Sequence, residues 1–121
     1  MAKQSIKTIR NRCWKLLSRL VRGDAYCKCI TCGKVAPAKE MHAGHFIHGK
    51  TKKTYLDRRN VHPQCVSCNM YKSGNLGEYA LYMIDHYGRE VIDELKELSN
   101  EMWTSISELL EIEKALKEEL E

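Results

Sequence analysis

The sequence is poor in Phe and Pro, with one Phe and two Pro. No run of residues approaches the roughly 20 uninterrupted apolar positions that a spanning helix needs. The opening MAKQSIKTIR is basic but has no apolar stretch behind it of the kind a secretory signal carries. These absences lead us to expect neither secretion nor membrane insertion. With 43% apolar and 30% charged residues over 121 positions, the chain has the composition of one soluble globular domain spanning 1–121 and not of a disordered acid.

Acid is scarce in the first half and base in the second. Residues 1–60 hold fifteen Lys and Arg against Asp24, Glu40 and Asp57, whereas residues 61–121 hold five against thirteen acids. The net charge of +4 therefore conceals halves of +12 and −8. Clustered cations of this density suit nucleic acid or an acidic surface, because they release condensed counterions on meeting phosphates. An ordinary solvated face would give the same count, so motifs must decide.

Six cysteines without a signal segment point to a reducing compartment, where paired thiols serve metals more often than disulfides. Cys29-Ile-Thr-Cys32 and Cys65-Val-Ser-Cys68 are two C-x2-C knuckles, and four thiolates at that spacing suit the closed tetrahedral coordination of a structural zinc ion. Cys27 competes with Cys29 for the metal, although only Cys29 stands two residues from Cys32. Cys13 falls on an apolar helical stripe and reads as a small core residue.

That stripe runs from Ile6 through Ile9, Cys13, Leu16, Leu17 and Leu20, with Arg12, Lys15, Arg19 and Arg22 on the opposite face and Gly23-Asp24 ending the helix. Residues 1–23 thus form a basic N-terminal helix. Cys29 to Asn69 lacks a helical stripe and is expected to form a knuckle, a short two-stranded hairpin and a loop around Gly49 to Thr54. Asn75-Leu-Gly-Glu78 has the form of a capping box, and Leu76, Tyr79, Ala80, Met83, Ile84 and Tyr87 follow at helical spacing up to Gly88. Val91, Ile92, Leu95, Leu98 and Met102 continue the period, and Ile106, Leu109, Leu110, Leu116 and Leu120 mark a last amphipathic helix from about Thr104. The expected class is α+β and mainly helical, with a zinc-knuckle core over 27–75 and a helical region over 76–121.

Between the knuckles, Met41-His-Ala-Gly-His-Phe-Ile-His48 and Asp57-Arg-Arg-Asn-Val-His-Pro-Gln-Cys-Val-Ser-Cys-Asn69 resemble the ββα-metal signature of HNH endonucleases. Beyond it, Leu20-Val-Arg-Gly-Asp-Ala, Ala43-Gly-His-Phe-Ile, Arg59-Asn-Val-His-Pro-Gln-Cys, Ser73-Gly-Asn-Leu-Gly-Glu-Tyr and His86-Tyr-Gly resemble the NinG (Rap) recombination proteins of lambda-like phages over nearly the whole chain. The resemblance implies a ββα-metal core and a Mg-dependent, structure-specific endonuclease. Its substrates would be branched DNA such as Holliday junctions and D-loops, in the bacterial host cytoplasm.

Phosphodiester hydrolysis needs a base, a metal to neutralise the oxyanion, and cations to hold the strand. His45 matches the HNH base. Asn60 would orient it or pin the hairpin, and Asn69 would offer its amide oxygen to Mg or Mn. Where HNH enzymes commonly carry an acid or His before the base, this chain has Gly44. His42, projecting to the same side as position 44, and His62, on the same strand face as Asn60, are rival ligands for the ion, with His48 a weaker third. Lys50, Lys52, Lys53, Arg58 and Arg59 join the helix cations as DNA contacts, and the acidic half should turn away from the DNA. A homodimer through the apolar helices after Gly88 would meet the two strands of a junction. The alternative functions are a non-catalytic zinc-stabilised DNA-binding module and a domain whose acidic helices engage a recombination protein.

Overall fold

The computed structural model describes residues 5–121, so residues 1–4 of the expected basic segment lie outside the described residues. Helix α1 (Ile6–Arg22) begins where the Ser5 hydroxyl accepts from the Thr8 N–H at 3.1 Å, and it ends at Gly23, whose φ of 72° closes the last turn onto the Arg19 carbonyl. Ile9, Cys13 and Leu17 on its apolar stripe are fully buried.

Two small antiparallel sheets follow. Strands β1 (Tyr26–Lys28) and β2 (Val35–Pro37) form a ribbon around the first knuckle, an element that the absence of any strand alternation there had hidden. Strands β3 (Met41–His45) and β4 (Val61–Cys65) form the second, with Met41 opposite Cys65, Gly44 opposite His62 and His45 opposite Val61. Between them the chain makes 3-10 turns at Lys53–Leu56 and Arg58–Asn60. Gly44 has a steric reason: a Cβ there would collide with Gln64 Oε1 on the neighbouring strand. An acidic side chain before His45 would meet the same obstruction.

After β4 comes a single π-helical turn, Ser67–Tyr71, closed by the Lys72 N–H to the Ser67 carbonyl at 2.9 Å. Ser73, Gly74 and Asn75 then take positive φ values of 51°, 92° and 48° and redirect the chain into α2 (Leu76–Tyr87). The expected capping box is not formed. Asn75 lies in the left-handed region and its side chain makes no cap bond; its amide donates instead to Cys68 Sγ at 3.6 Å. Helix α3 (Glu90–Leu98) stops before Met102, which pairs as an isolated bridge with Lys52 rather than extending the helix. The final helix, α4 (Ile106–Leu120), is capped by the Ser105 hydroxyl accepting from the Glu108 N–H at 3.2 Å.

The architecture is mixed α+β and mostly helical. Helix α1 lies against α4 and against β3 and β4, burying Ile9, Cys13, Leu17, Ala43, Tyr55, Leu56, Val61, Leu109 and Leu116 in one core. Tyr79, Met83, Val91 and Leu95 join α2 to α3 in another. Of the apolar stripes after Gly88, Val91, Leu95, Leu109 and Leu116 are buried inside the chain, whereas Met102 and Leu110 are exposed. Among the described residues no helix is long and apolar enough to cross a membrane.

Candidate functional site

Four sulfurs converge between the two sheets. The Sγ atoms of Cys29, Cys32, Cys65 and Cys68 all lie within 4.8 Å of one another, with Cys32 and Cys65 at 3.7 Å. A tetrahedron with Zn–S bonds of about 2.3 Å has S···S edges of about 3.8 Å, so the quartet could hold a zinc ion. Bonds to sulfur orient the ligands: the Cys68 N–H points at Cys65 Sγ at 3.4 Å and the Thr31 hydroxyl lies 3.2 Å from Cys29 Sγ. Burial raises the Cys29 pKa, but hydrogen bonds from Thr31 and from nearby backbone amides outweigh it and bring it down to about 6, favouring the thiolate. Cys27 sits on β1 beside the quartet and outside it, which settles the choice for Cys29. Cys13 is buried in the helical core, its thiol pushed up to about 11 by desolvation.

His45 closes β3 and packs in a triangle of rings. The Trp14 centroid of α1 is 4.5 Å from it and that of Tyr55 4.8 Å with planes 9° apart, and Trp14 and Tyr55 are themselves 5.0 Å apart. Its Nε2 lies 2.9 Å from the Tyr55 carbonyl. A carbonyl can only accept, so Nε2 carries the proton and Nδ1 keeps its lone pair. Burial, helped by the charge of His48, lowers the pKa from 6.5 to about 4 against the opposing Tyr55 bond. The ring is therefore neutral at physiological pH.

Asn60 builds the support for this arrangement. It is 0% exposed; its Oδ1 accepts from the Ile47 N–H at 2.8 Å, and its Nδ2 donates to the Ile47 and Thr54 carbonyls, both at 2.9 Å. Those bonds fasten both ends of the loop that delivers the Tyr55 carbonyl to His45.

Asn69, on the π-helical turn, donates through Nδ2 to His42 Nδ1 at 3.0 Å, which directs its amide oxygen away from that ring. Two hollows meet there. One of about 470 Å³ is lined by His45, His48, Lys50, Tyr55 and Met70; the other, of about 450 Å³, by Ser18, Arg22, Lys39 and His42. Trp14, Ala43 and Asn69 line both, and no carboxylate lines either. The structure thus gathers His42, His45 and Asn69 around one basic surface.

His62, expected as a rival ligand for the ion, does not belong to this group. It is buried, with Nδ1 2.9 Å from the Tyr79 hydroxyl and Nε2 2.7 Å from the Tyr87 hydroxyl. Tyr79 gives its own proton to the Gly44 carbonyl at 2.8 Å, so His62 donates through Nδ1 and accepts from Tyr87 through Nε2. Both nitrogens are used in fastening β4 to α2. Burial and the nearby His86 charge lower its pKa to about 4.

The expected separation of basic and acidic halves is also corrected. Arg12 grips Glu113 of α4 through two bonds of 2.6 and 2.9 Å, holding the carboxyl below its usual pKa range. Lys53 pairs with Glu108 at 3.2 Å, Arg59 with Asp57 and Glu94 at 3.0 and 2.7 Å, and Arg58 with Glu119. Arg22 donates to the Ser18 and Ala38 carbonyls. The acidic helices therefore fold back onto the basic half. Lys15, Arg19 and Lys50 are exposed, and Lys52 is half-buried. Sequence reasoning missed Trp14, Tyr55 and Lys39. Trp14, an aromatic side chain set directly beside the basic face of α1, was the available signal.

Fold and site together define a small α+β protein with a four-cysteine centre and a neutral histidine packed against two aromatic rings. The family whose description is Bacteriophage Lambda NinG protein matches residues 2–121, and the chain belongs to that NinG family. It is 40% identical to Protein ninG of Escherichia phage 933W over 78 residues, which is 63% of this chain and 38% of that one. It is 38% identical to Protein ninG of Escherichia phage lambda over 78 residues, again 63% and 38% of the two chains. Against Protein ninG of Salmonella phage P22 the identity is 37% over 79 residues, 64% and 38%. The match thus spans well under half the length of these relatives. No solved structure matches the chain.

Proposed function

We propose that this chain is a metal-dependent HNH endodeoxyribonuclease that hydrolyses phosphodiester bonds in branched recombination intermediates, Holliday junctions and D-loops, in the host cytoplasm. The observation that carries the reading is the state of His45: its proton is committed to the Tyr55 carbonyl on Nε2, leaving Nδ1 free to accept one. Burial lowers its pKa, so the ring is neutral at pH 7 and the Nδ1 lone pair is available. Water bound beside Nδ1 would lose its proton to it and attack the phosphorus.

A hard divalent ion, Mg or Mn, would be held by the Asn69 amide oxygen and His42 once the Asn69 amide turns from its bond to His42 Nδ1, with phosphate oxygens and water completing the shell. Bound there, the ion supplies neutralisation of the charge that develops on the phosphate and on the leaving oxygen. Among the described residues only the cysteine quartet gathers three or more His, Cys, Asp or Glu closely enough for an ion, so the substrate's own phosphate must contribute much of the affinity. Lys50, Lys39 and Arg22, lining the same hollows, would hold the strand. Exposed Lys15 and Arg19 on α1 would add phosphate contacts, and DNA would compete with Glu113, Glu108 and Glu119 for Arg12, Lys53 and Arg58. Two copies would present matching sites to the two strands of a junction, and exposed acids of α3 and α4 are where a recombination protein would attach.

The test is cleavage of a labelled four-way junction with Mg. His45→Ala should lose about a hundred- to ten-thousandfold in rate while keeping zinc and junction binding. Asn69→Ala should be partly restored by raised Mg or Mn, which cannot replace a base. A wild-type rate in His45→Ala, or no cleavage by the wild type with any divalent ion, refutes the nuclease reading.

A further inference from the structure

The π-helical turn carries an apolar surface next to the proposed cutting site. Tyr71 is 84% exposed and Met70 61%, and Val66 beside them is exposed as well. The bond from the Lys72 N–H to the Ser67 carbonyl spans five residues, one more than in an α-helix, and Val66, Met70 and Tyr71 stand at the two ends of this widened turn. A large aromatic ring left in water has no folding purpose, and none of the three belongs to a buried cluster of the chain.

Position supplies the second half of the argument. Met70 lines the hollow that holds His45 and Lys50, and it directly follows Asn69, the residue common to both hollows. Lys72 follows Tyr71 and is exposed. The apolar surface therefore borders a basic, carboxylate-free hollow, a pairing that suits a nucleotide: phosphate on the cations, base on the ring. In linear duplex each base is already stacked on its neighbours. At a branch point the helical stack is interrupted and a base face is left open.

We infer that Tyr71, backed by Met70, is a base-stacking site that takes the open base at a DNA branch point and so sets the preference of this chain for branched DNA. The inference rests on the nuclease reading for its substrate, but it concerns binding and not cleavage. Stacking one base on an aromatic side chain is worth about 1–3 kcal/mol, which is roughly 5- to 150-fold in affinity.

The zinc-loaded full chain is titrated, without added Mg or Mn, into a four-way junction and into linear duplex of equal length, each carrying 2-aminopurine at the central position. Tyr71→Ala should weaken junction binding about 5- to 150-fold and leave duplex binding within about twofold, abolishing the change in 2-aminopurine fluorescence that the wild type produces on the junction. Tyr71→Trp and Tyr71→Phe should keep both. Because the side chain is exposed, the variants should retain zinc and their melting temperature, and these are measured alongside. Equal weakening on junction and duplex, or an unchanged junction preference in Tyr71→Ala, overturns the inference. So does loss of self-association in Tyr71→Ala with DNA binding intact, which would assign the patch to a second copy. Failure of the wild type to cleave, with Tyr71-dependent junction binding preserved, removes the nuclease reading and leaves the stacking site standing.

Discussion

Replacing Asn60 by Ala isolates the loop that presents His45. The side chain is completely buried and makes three hydrogen bonds to backbone, to Ile47 N, Ile47 O and Thr54 O at 2.8, 2.9 and 2.9 Å. Each such bond is worth about 1 kcal/mol net, and stranding buried partners adds to the loss, so Asn60→Ala should cost about 3–4 kcal/mol. In a domain of this size that lowers Tm by roughly 10–15 °C. Asn60→Asp should fare worse at pH 8: its carboxylate accepts from Ile47 N but can donate to neither carbonyl and faces both as a charge. Its deficit should shrink as pH falls and the carboxyl takes up a proton that it can donate. Thermal unfolding of the zinc-loaded chains, followed by circular dichroism at pH 8 and pH 5.5, measures both variants. An Asn60→Ala protein melting within about 2 °C of the wild type, or an Asn60→Asp protein matching it at pH 8, would show that the loop is held by other contacts.

Zinc analysis should find one ion per chain; Cys65→Ser should lose it and unfold, because a small core of this kind depends on the metal cross-link, whereas Cys27→Ser should keep full zinc. Zinc retained by Cys65→Ser would remove the quartet. Acid should weaken the fold through His45 and His62, whose pKa values drop from 6.5 to about 4 on folding. The unfolded chain then binds more protons between those values. Stability is full above about pH 6.5, is lost as pH falls through the window at up to roughly 1.4 kcal/mol per pH unit for each histidine, and levels off below about pH 4. Urea unfolding between pH 7.5 and 5 should show a shallower dependence for His45→Asn than for the wild type, and an identical slope in the two would contradict burial of a neutral ring.

Features whose cause is local were readable from the residues alone. The α1 stripe, the Gly23 and Gly88 stops and the start of α4 follow from the helical period and chain termination over a few residues, and each stands where that period puts it. The cysteine quartet was legible because two-residue gaps leave a thiolate pair few other uses. Features that depend on partners distant in the chain emerged from packing. Arg12 and Glu113 are 101 residues apart, so charge counting could not show that α4 returns to neutralise α1. Asn75 had the letters of a capping box, but a left-handed backbone beside Cys68 drew its amide to sulfur. His62 looked as available as His42 until α2 placed two phenols against it. Gly44 read as a missing ligand, and it is instead a space filled by Gln64 from the neighbouring strand. The state of His45, with its proton pinned by the Tyr55 carbonyl and its ring dried by Trp14, comes from three segments meeting. A residue's type sets which bonds it can make, whereas packing sets which of them remain free for chemistry.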